Sequence, residues 1–291
     1  MRTVGMIGLG QMGTAMTETL IREGFEVVGT DLSAERRKLA EELGARTVGS
    51  IAEVVAETDM VLLSLPEARH VEAVVAGPGG IMESNRPNVL VMDATTSEPE
   101  MSRLLADKME EAGHGFLDTP VSGGPSGARA GTLAVMVGGA EKDFDRAKPV
   151  LEALAGKLTH IGPSGAGNVV KLVNNLLAAA NMVVAAEGAL LAERAGVDPK
   201  VVFDVVNAGS GRSLSTEMLL PNFVFNDGFN FGFGAALMRK DVRLAMALAK
   251  ATGTEMPMSE VAGDIWAGSV DKLDADADFT EVAGLVLGKK G

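Results

Sequence analysis

Hydrophobic positions follow two different rhythms along the 291 residues of the chain. In the first half short apolar runs recur at residues 2–7, 26–30, 60–65, 89–92, 115–117 and 133–137. Runs of that length, bounded by turn residues, predict buried strands. Amphipathic stretches separate the earlier runs, one ending near Glu23 and another starting near Ser33. Strand and helix in alternation predict a parallel sheet with helices on its faces. From Gly165 the rhythm changes. The segment GAGNVVKLVNN opens a run rich in Ala, Leu and Met that continues to about Gly196 without a proline, which predicts one long helix. Residues 197–291 read as further helices, broken at 207–213, 226–234 and 253–257. The turn His160-Ile161-Gly162-Pro163 is the expected boundary, giving an α/β domain over 1–162 and a helical domain over 163–291.

Candidate chemistry sits at the ends of these elements. Gly8-Leu9-Gly10-Gln11-Met12-Gly13 lies directly between the first strand and the first helix. There Gly8 suits the tight turn, Gly10 lets the backbone approach a pyrophosphate, and Gly13 allows helix and strand to pack closely. The helix N-terminus adds amide donors and a positive dipole end. This predicts a Rossmann-like dinucleotide site. Asp31 ends the second strand, where a carboxylate would hold a ribose 2′-hydroxyl; capping the next helix is its structural alternative. NAD is the expected cofactor, with NADP possible through Arg36 or Arg37. Ser64, Leu65 and Pro66, and Thr95 and Thr96, follow later strands and are candidates for cofactor loops. Ser122, Gly123 and Gly124 lie in a loop between apolar strands, where adjacent glycine amides can form an anion-binding concavity. Lys171 and Asn175 share one face of the long apolar helix. Either the lysine snorkels to solvent, or the pair performs chemistry.

Composition narrows the field. A hydrophobic fraction of 46% predicts a packed globular protein, and a net charge of −13 argues against nucleic acid or an anionic membrane as partner. The alanine-rich stretch 176–192 is interrupted by Asn181 and Glu187, so no spanning segment is expected. There is no cysteine, hence no disulfide, no thiolate nucleophile and no cysteine ligand for zinc. No metal site is predicted. The acidic run 271–278 lacks calcium-loop spacing and reads as a solvated face, and His70, His114 and His160 read as structural. A cytoplasmic location is the default expectation.

Taken together, GLGQMG at 8–13, DTPVSGGPSGARAGTL at 118–133, GAGNVVKLVNN at 165–175 and KDV at 240–242 resemble the β-hydroxyacid dehydrogenase family. The resemblance spans the chain. It implies an α/β Rossmann-like N-terminal domain plus an all-α C-terminal domain joined by a long helix, assembled as a homodimer or homotetramer. It further implies that Ser122, Gly123 and Gly124 hold a small carboxylate substrate, and that Lys171 is the general acid/base with Asn175 orienting the substrate. Thr96 would lie beside the nicotinamide and Lys240 near the cofactor. The implied reaction interconverts a small β-hydroxyacid, of the 3-hydroxyisobutyrate, 3-hydroxypropionate or glycerate type, and its semialdehyde. An ordinary lysine, with a pKa of about 10.4, is a poor base at neutral pH. Apolar burial and a nearby nicotinium charge would each lower that value. Leu214 departs from the family pattern, since enzymes acting on 3-hydroxyisobutyrate tend to carry tryptophan there. An imine reductase-like enzyme and a non-catalytic nucleotide-binding module are the alternatives on the same fold.

Overall fold

A computed structural model describes residues 2–290. The chain forms two compact units, one reaching to Lys171 and one starting at Leu172. The first runs β1 (Thr3–Ile7), α1 (Gln11–Arg22), β2 (Glu26–Thr30), α2 (Ala34–Glu42), β3 (Arg46–Thr47), α3 (Ile51–Glu57), β4 (Met60–Leu63) and α4 (Ala68–Ala76). It continues with β5 (Leu90–Asp93), α5 (Pro99–Glu111), β6 (Gly115–Asp118), β7 (Val121–Ser122), α6 (Gly124–Ala130), β8 (Leu133–Gly138), α7 (Glu141–Leu154) and β9 (Ala155–Gly162). Helix α8 (Ala166–Arg194) then begins in this unit and carries the chain into the next.

The strands form one sheet in the order β3-β2-β1-β4-β5-β6-β8-β7, with β9 paired to β8. The pairs from β3 to β6 are parallel. Residues alternate between its faces, as strand geometry requires. Val4, Met6, Leu62, Leu90, Met92 and Leu117 join one core. Ile7, Val61, Leu63, Val89, Val91 and Phe116 join the other. Strands buried on both faces explain the continuous apolar runs in the sequence.

The pattern predicted one more parallel strand over 133–137. Instead β8 is antiparallel to β6 and β7, with Val121 opposite Val135 and Ser122 opposite Ala134. Gly123 and Gly124 both take positive φ, 131° and 64°, which reverses the chain immediately after β7. The short α6 that follows returns it as a neighbouring antiparallel strand rather than through a full-length crossover. β9, with the sequence AGKLTHIG, is half-exposed and only sparsely apolar, so periodicity did not reveal it as a strand.

The second unit takes up α8 from Leu172 and continues with α9 (Pro199–Asn207), a π-helix (Ser215–Val224), α10 (Ala235–Thr252), α11 (Pro257–Ala267) and α12 (Glu281–Val286). Leu172, Leu176, Ala179, Met182 and Ala186 of α8 enter its core with Phe203, Leu220, Met238, Val242 and Trp266. Trp266 Nε1 donates to the Ala179 carbonyl at 3.1 Å, so the one buried indole is satisfied. By length and composition α8 could cross a membrane despite Asn181 and Glu187; its buried stripe instead makes it the core helix of this unit. The acidic run 271–278 is not wholly a solvated face. Asp278 Oδ2 accepts Gly232 N at 2.7 Å, and Oδ1 accepts Thr280 N at 3.0 Å. Among the described residues no cluster of His, Asp and Glu suits a metal ion.

Candidate active site

The carboxyl ends of β1 and β4 lie side by side, on either side of which the strand order runs outward in opposite directions. That is the switch point at which an open parallel sheet forms its ligand crevice. In the loop after β1, Gly8 and Gly13 stand where no side chain fits. A Cβ on Gly8 would lie 2.2 Å from the Ser64 carbonyl oxygen, and one on Gly13 would lie 1.9 Å from the Gly8 carbonyl oxygen. At Gly10 the nearest atom to such a Cβ is Arg36 Nη1, 3.9 Å away, so the loop is open there. Gly10 is also the N-cap of α1 and brings no side-chain acceptor to the helix amides, and the first turn carries no acid. Gln11 is exposed and Met12 half-buried beside them. These features fit a dinucleotide pyrophosphate.

Asp31 stands next to this loop. Its Oδ2 accepts Leu9 N and its Oδ1 accepts Ser33 N, both at 2.8 Å. The helix cap predicted as its alternative role belongs to Ser33, whose side chain accepts Arg36 N. Asp31 therefore joins β2 to the glycine loop. Arg36 Nη1 is 3.7 Å from Asp31 Oδ2, and Arg37 Nη1 donates to the Asp31 carbonyl at 2.5 Å. On the other side of the crevice Leu65 N donates to Thr95 Oγ1 at 3.1 Å, which ties the loop carrying Leu65 and Pro66 to the loop carrying Thr96. Thr96 is half-buried and Pro66 exposed.

Ser122 and Gly124 are half-buried and Gly123 is exposed, at the junction of β7 and α6. Gly123 and Gly124 take consecutive positive φ values in the tight turn that joins β7 to α6. Lys171, in the second turn of α8, is only 8% exposed, which does not fit a side chain snorkelling into solvent.

In the second unit Asn175 is 4% exposed. Its Nδ2 donates to Asp241 Oδ2 at 2.5 Å, and its Oδ1 accepts Asn174 Nδ2 at 3.0 Å. Asp241 is itself buried, and Lys240 Nζ lies 3.3 Å from its Oδ1. Lys240 and Asn175 thus meet through one carboxylate. Asp241 was quoted in the KDV motif but given no part. The signal was available, because the apolar positions Met238, Val242, Ala245 and Ala249 put residue 241 on the buried face of α10.

A glycine-looped parallel sheet followed by a helical unit is an architecture used by nicotinamide-dinucleotide oxidoreductases. Residues 3–162 match the family described as the NAD binding domain of 6-phosphogluconate dehydrogenase. Residues 165–286 match the family described as NAD-binding of NADP-dependent 3-hydroxyisobutyrate dehydrogenase. The chain is 37% identical over 287 residues to a probable mitochondrial 3-hydroxyisobutyrate dehydrogenase of Dictyostelium discoideum, covering 97% of this chain and 89% of that one. It is 36% identical to the 2-(hydroxymethyl)glutarate dehydrogenase of Eubacterium barkeri, covering 91% and 88%. The solved 3-hydroxyisobutyrate dehydrogenase of Mycobacterium tuberculosis with L-serine superposes with a TM-score of 0.89 at 36% identity, covering 98% and 99%. The chain belongs to the β-hydroxyacid dehydrogenase family and is an NAD(P)-dependent oxidoreductase.

Proposed function

We propose that the enzyme oxidises a small β-hydroxyacid to its semialdehyde, or runs the reverse reaction, with Lys171 as general acid/base. The observation that carries this reading is Lys171 itself, a lysine 8% exposed in an apolar helix, one turn before the buried amide of Asn175. Bound at the glycine loop, the dinucleotide supplies the hydride acceptor or donor. Lys171 Nζ takes the proton of the substrate hydroxyl during oxidation and returns it during reduction. Asn175, held from both ends by Asp241 and Asn174, presents an amide of fixed orientation to the substrate. Ser122 and the amides of Gly123 and Gly124 anchor the substrate carboxylate. Asp31 favours NAD over NADP. The enzyme works as a homodimer or homotetramer, because α8 leaves Val173, Leu177, Val184 and Leu191 exposed along one face; the cytoplasm is its proposed location.

A panel of hydroxyacids and semialdehydes with each cofactor, followed by nicotinamide absorbance, tests the reaction. Lys171→Ala tests the mechanism: turnover should fall by about two to four orders of magnitude, the usual contribution of a general acid/base, while dinucleotide binding persists. Near-normal turnover in that variant would remove Lys171 from the chemistry.

A further inference from the structure

Buried polar groups outside the proposed proton transfer gather at the first turn of α8. Asp118, at the end of β6, has no exposed surface and accepts Gly165 N at 2.7 Å and Asn168 N at 2.8 Å. A carboxylate on the amides of a helix N-terminus is favoured by the helix dipole. Burial still pushes the Asp118 carboxyl above its usual range, with the amide donors acting in the opposite direction. The turn is seated without slack: a Cβ on Gly167 would come within 2.4 Å of the Met136 carbonyl oxygen. Asn168, also without exposed surface, directs its side chain elsewhere. Its Oδ1 accepts Ser97 N at 3.0 Å, and its Nδ2 donates to Ser102 Oγ at 3.0 Å.

Ser97 belongs to the loop after β5, which carries Thr96 on the ligand side of the sheet. Within that loop Thr95 N donates to Asp93 Oδ1 at 3.0 Å, and Thr95 Oγ1 holds Leu65 N. Both crevice loops are therefore linked, through Ser97 and Asn168, to the helix turn just before Lys171.

We infer that Asn168 is a positioning residue, which sets the placement of Lys171 relative to the crevice loop of Thr95, Thr96 and Ser97. The inference rests on the acid/base reading of Lys171. Hydride and proton must leave the same carbinol, so the group that takes the proton has to be fixed against the surface that seats the dinucleotide. A misplacement of about 1 Å at such a site costs on the order of a hundredfold in rate. An amide is suited to this post. It offers one acceptor and a donor at fixed spacing and adds no charge beside Asp118.

The test compares Asn168→Ala and Asn168→Asp with the unmodified enzyme in kcat, dinucleotide Kd from fluorescence, thermal midpoint and the isotope effect with NADH deuterated at the transferred position. Asn168→Ala should bind NADH within about threefold of the parent value yet lose roughly 10- to 100-fold in kcat, with a larger isotope effect. In Asn168→Asp the protonated carboxyl keeps both the acceptor and the donor. Its kcat should approach the parent value on the acid side and fall as the carboxyl ionises, a limb the parent profile lacks. If Asn168→Ala does not fold, that pH profile decides alone. A kcat within about twofold of the parent in Asn168→Ala overturns the inference, as does an Asn168→Asp profile parallel to the parent's. A loss of kcat matched by an equal loss of dinucleotide affinity also overturns it. Lys171→Ala separates the two ideas. If it keeps turnover, the acid/base reading fails; if it is inactive while the Asn168 variants are normal, only the positioning inference fails.

Discussion

Both carboxylate oxygens of Asp31 are held by main-chain amides, Leu9 N on one and Ser33 N on the other. Each oxygen keeps capacity for a further donor, so a ribose 2′-hydroxyl can be accepted, whereas a 2′-phosphate meets a fixed negative charge. Arg36, 3.7 Å from Oδ2, offsets part of that charge. The expected kcat/KM preference for NAD over NADP is at least about tenfold, or roughly 1.4 kcal/mol, and Arg36→Ala should widen it. Steady-state kinetics with both cofactors checks this; equal use of NADP would show that Arg36 and not Asp31 governs the choice. His114 supports a prediction about pH. Its Nδ1 accepts Val89 N at 3.1 Å, and burial lowers its pKa from the ordinary 6.5. A base with a depressed folded-state pKa contributes stability that is present above 6.5 and lost as pH falls through the folded value. Protonation at Nδ1 also removes the acceptor. The melting-temperature gap between the parent and His114→Leu should therefore narrow as pH drops below 6.5, and a gap independent of pH would refute this. At this scale the sequence exposes only what looks out of place. Lys171 and Asn175 stand out as polar residues on an apolar helix, and the glycines as a spaced motif. Asn168 and Asp118 do not, since their importance lies in bonds to residues 47 to 71 positions away in the chain.

Among the elements, β1, β2, β4, β5 and β6 were legible because strands buried on both faces must be continuously apolar. β3 and β7 were not, each being two residues long and held by pairing rather than by its own composition. The direction of β8 was hidden for a related reason: it depends on the backbone angles of Gly123 and Gly124, which composition does not report. Helix α8 was legible in length but not in the way its faces divide. One stripe, with Ala179, Met182 and Ala186, is buried in the helical unit. Another, Val173, Leu177, Val184 and Leu191, is between 51% and 72% exposed. The spacings of four, seven and seven keep these four residues on one side of the helix, with Asn181 and Glu187 between them. Four exposed apolar side chains on one side of a helix suit an interaction face, and a second copy of the chain is the occupant proposed above. Leu177→Glu should shift the assembly toward monomer in light scattering at micromolar concentration. A parent protein that is already monomeric there would refute the subunit contact and leave the core stripe unaffected.

For the molecule as a whole, the remaining question is which compounds it accepts, and the proposed anchor makes that testable. The net charge of −13 repels an anionic substrate at long range, so a carboxylate must be captured by local donors. Ser122 and the turn at Gly123 and Gly124 are the donors proposed, and the two positive φ values there fix the direction of the backbone. Charge-assisted hydrogen bonds to a carboxylate are about twice as strong as those to a neutral group, so an ester or a diol gives up much of the anchoring energy. The anchor also sets where the carbinol falls. In the arrangement proposed above, holding one end of the substrate would bring a hydroxyl on the β carbon to Lys171 and the dinucleotide, an alignment of the kind that lowers the barrier to hydride transfer. A 3-hydroxypropionate skeleton with a small 2-substituent should therefore outperform its methyl ester by at least about tenfold in kcat/KM. Ser122→Ala should reduce use of the acid far more than use of the ester, because only the acid engages the lost hydroxyl as an anion. Initial rates for acid, ester and a cyclic imine, on the parent and Ser122→Ala, supply the comparison. Equal rates for acid and ester would remove the anion site from residues 122–124, and faster reduction of the imine than of any semialdehyde acid would move the enzyme to amine chemistry.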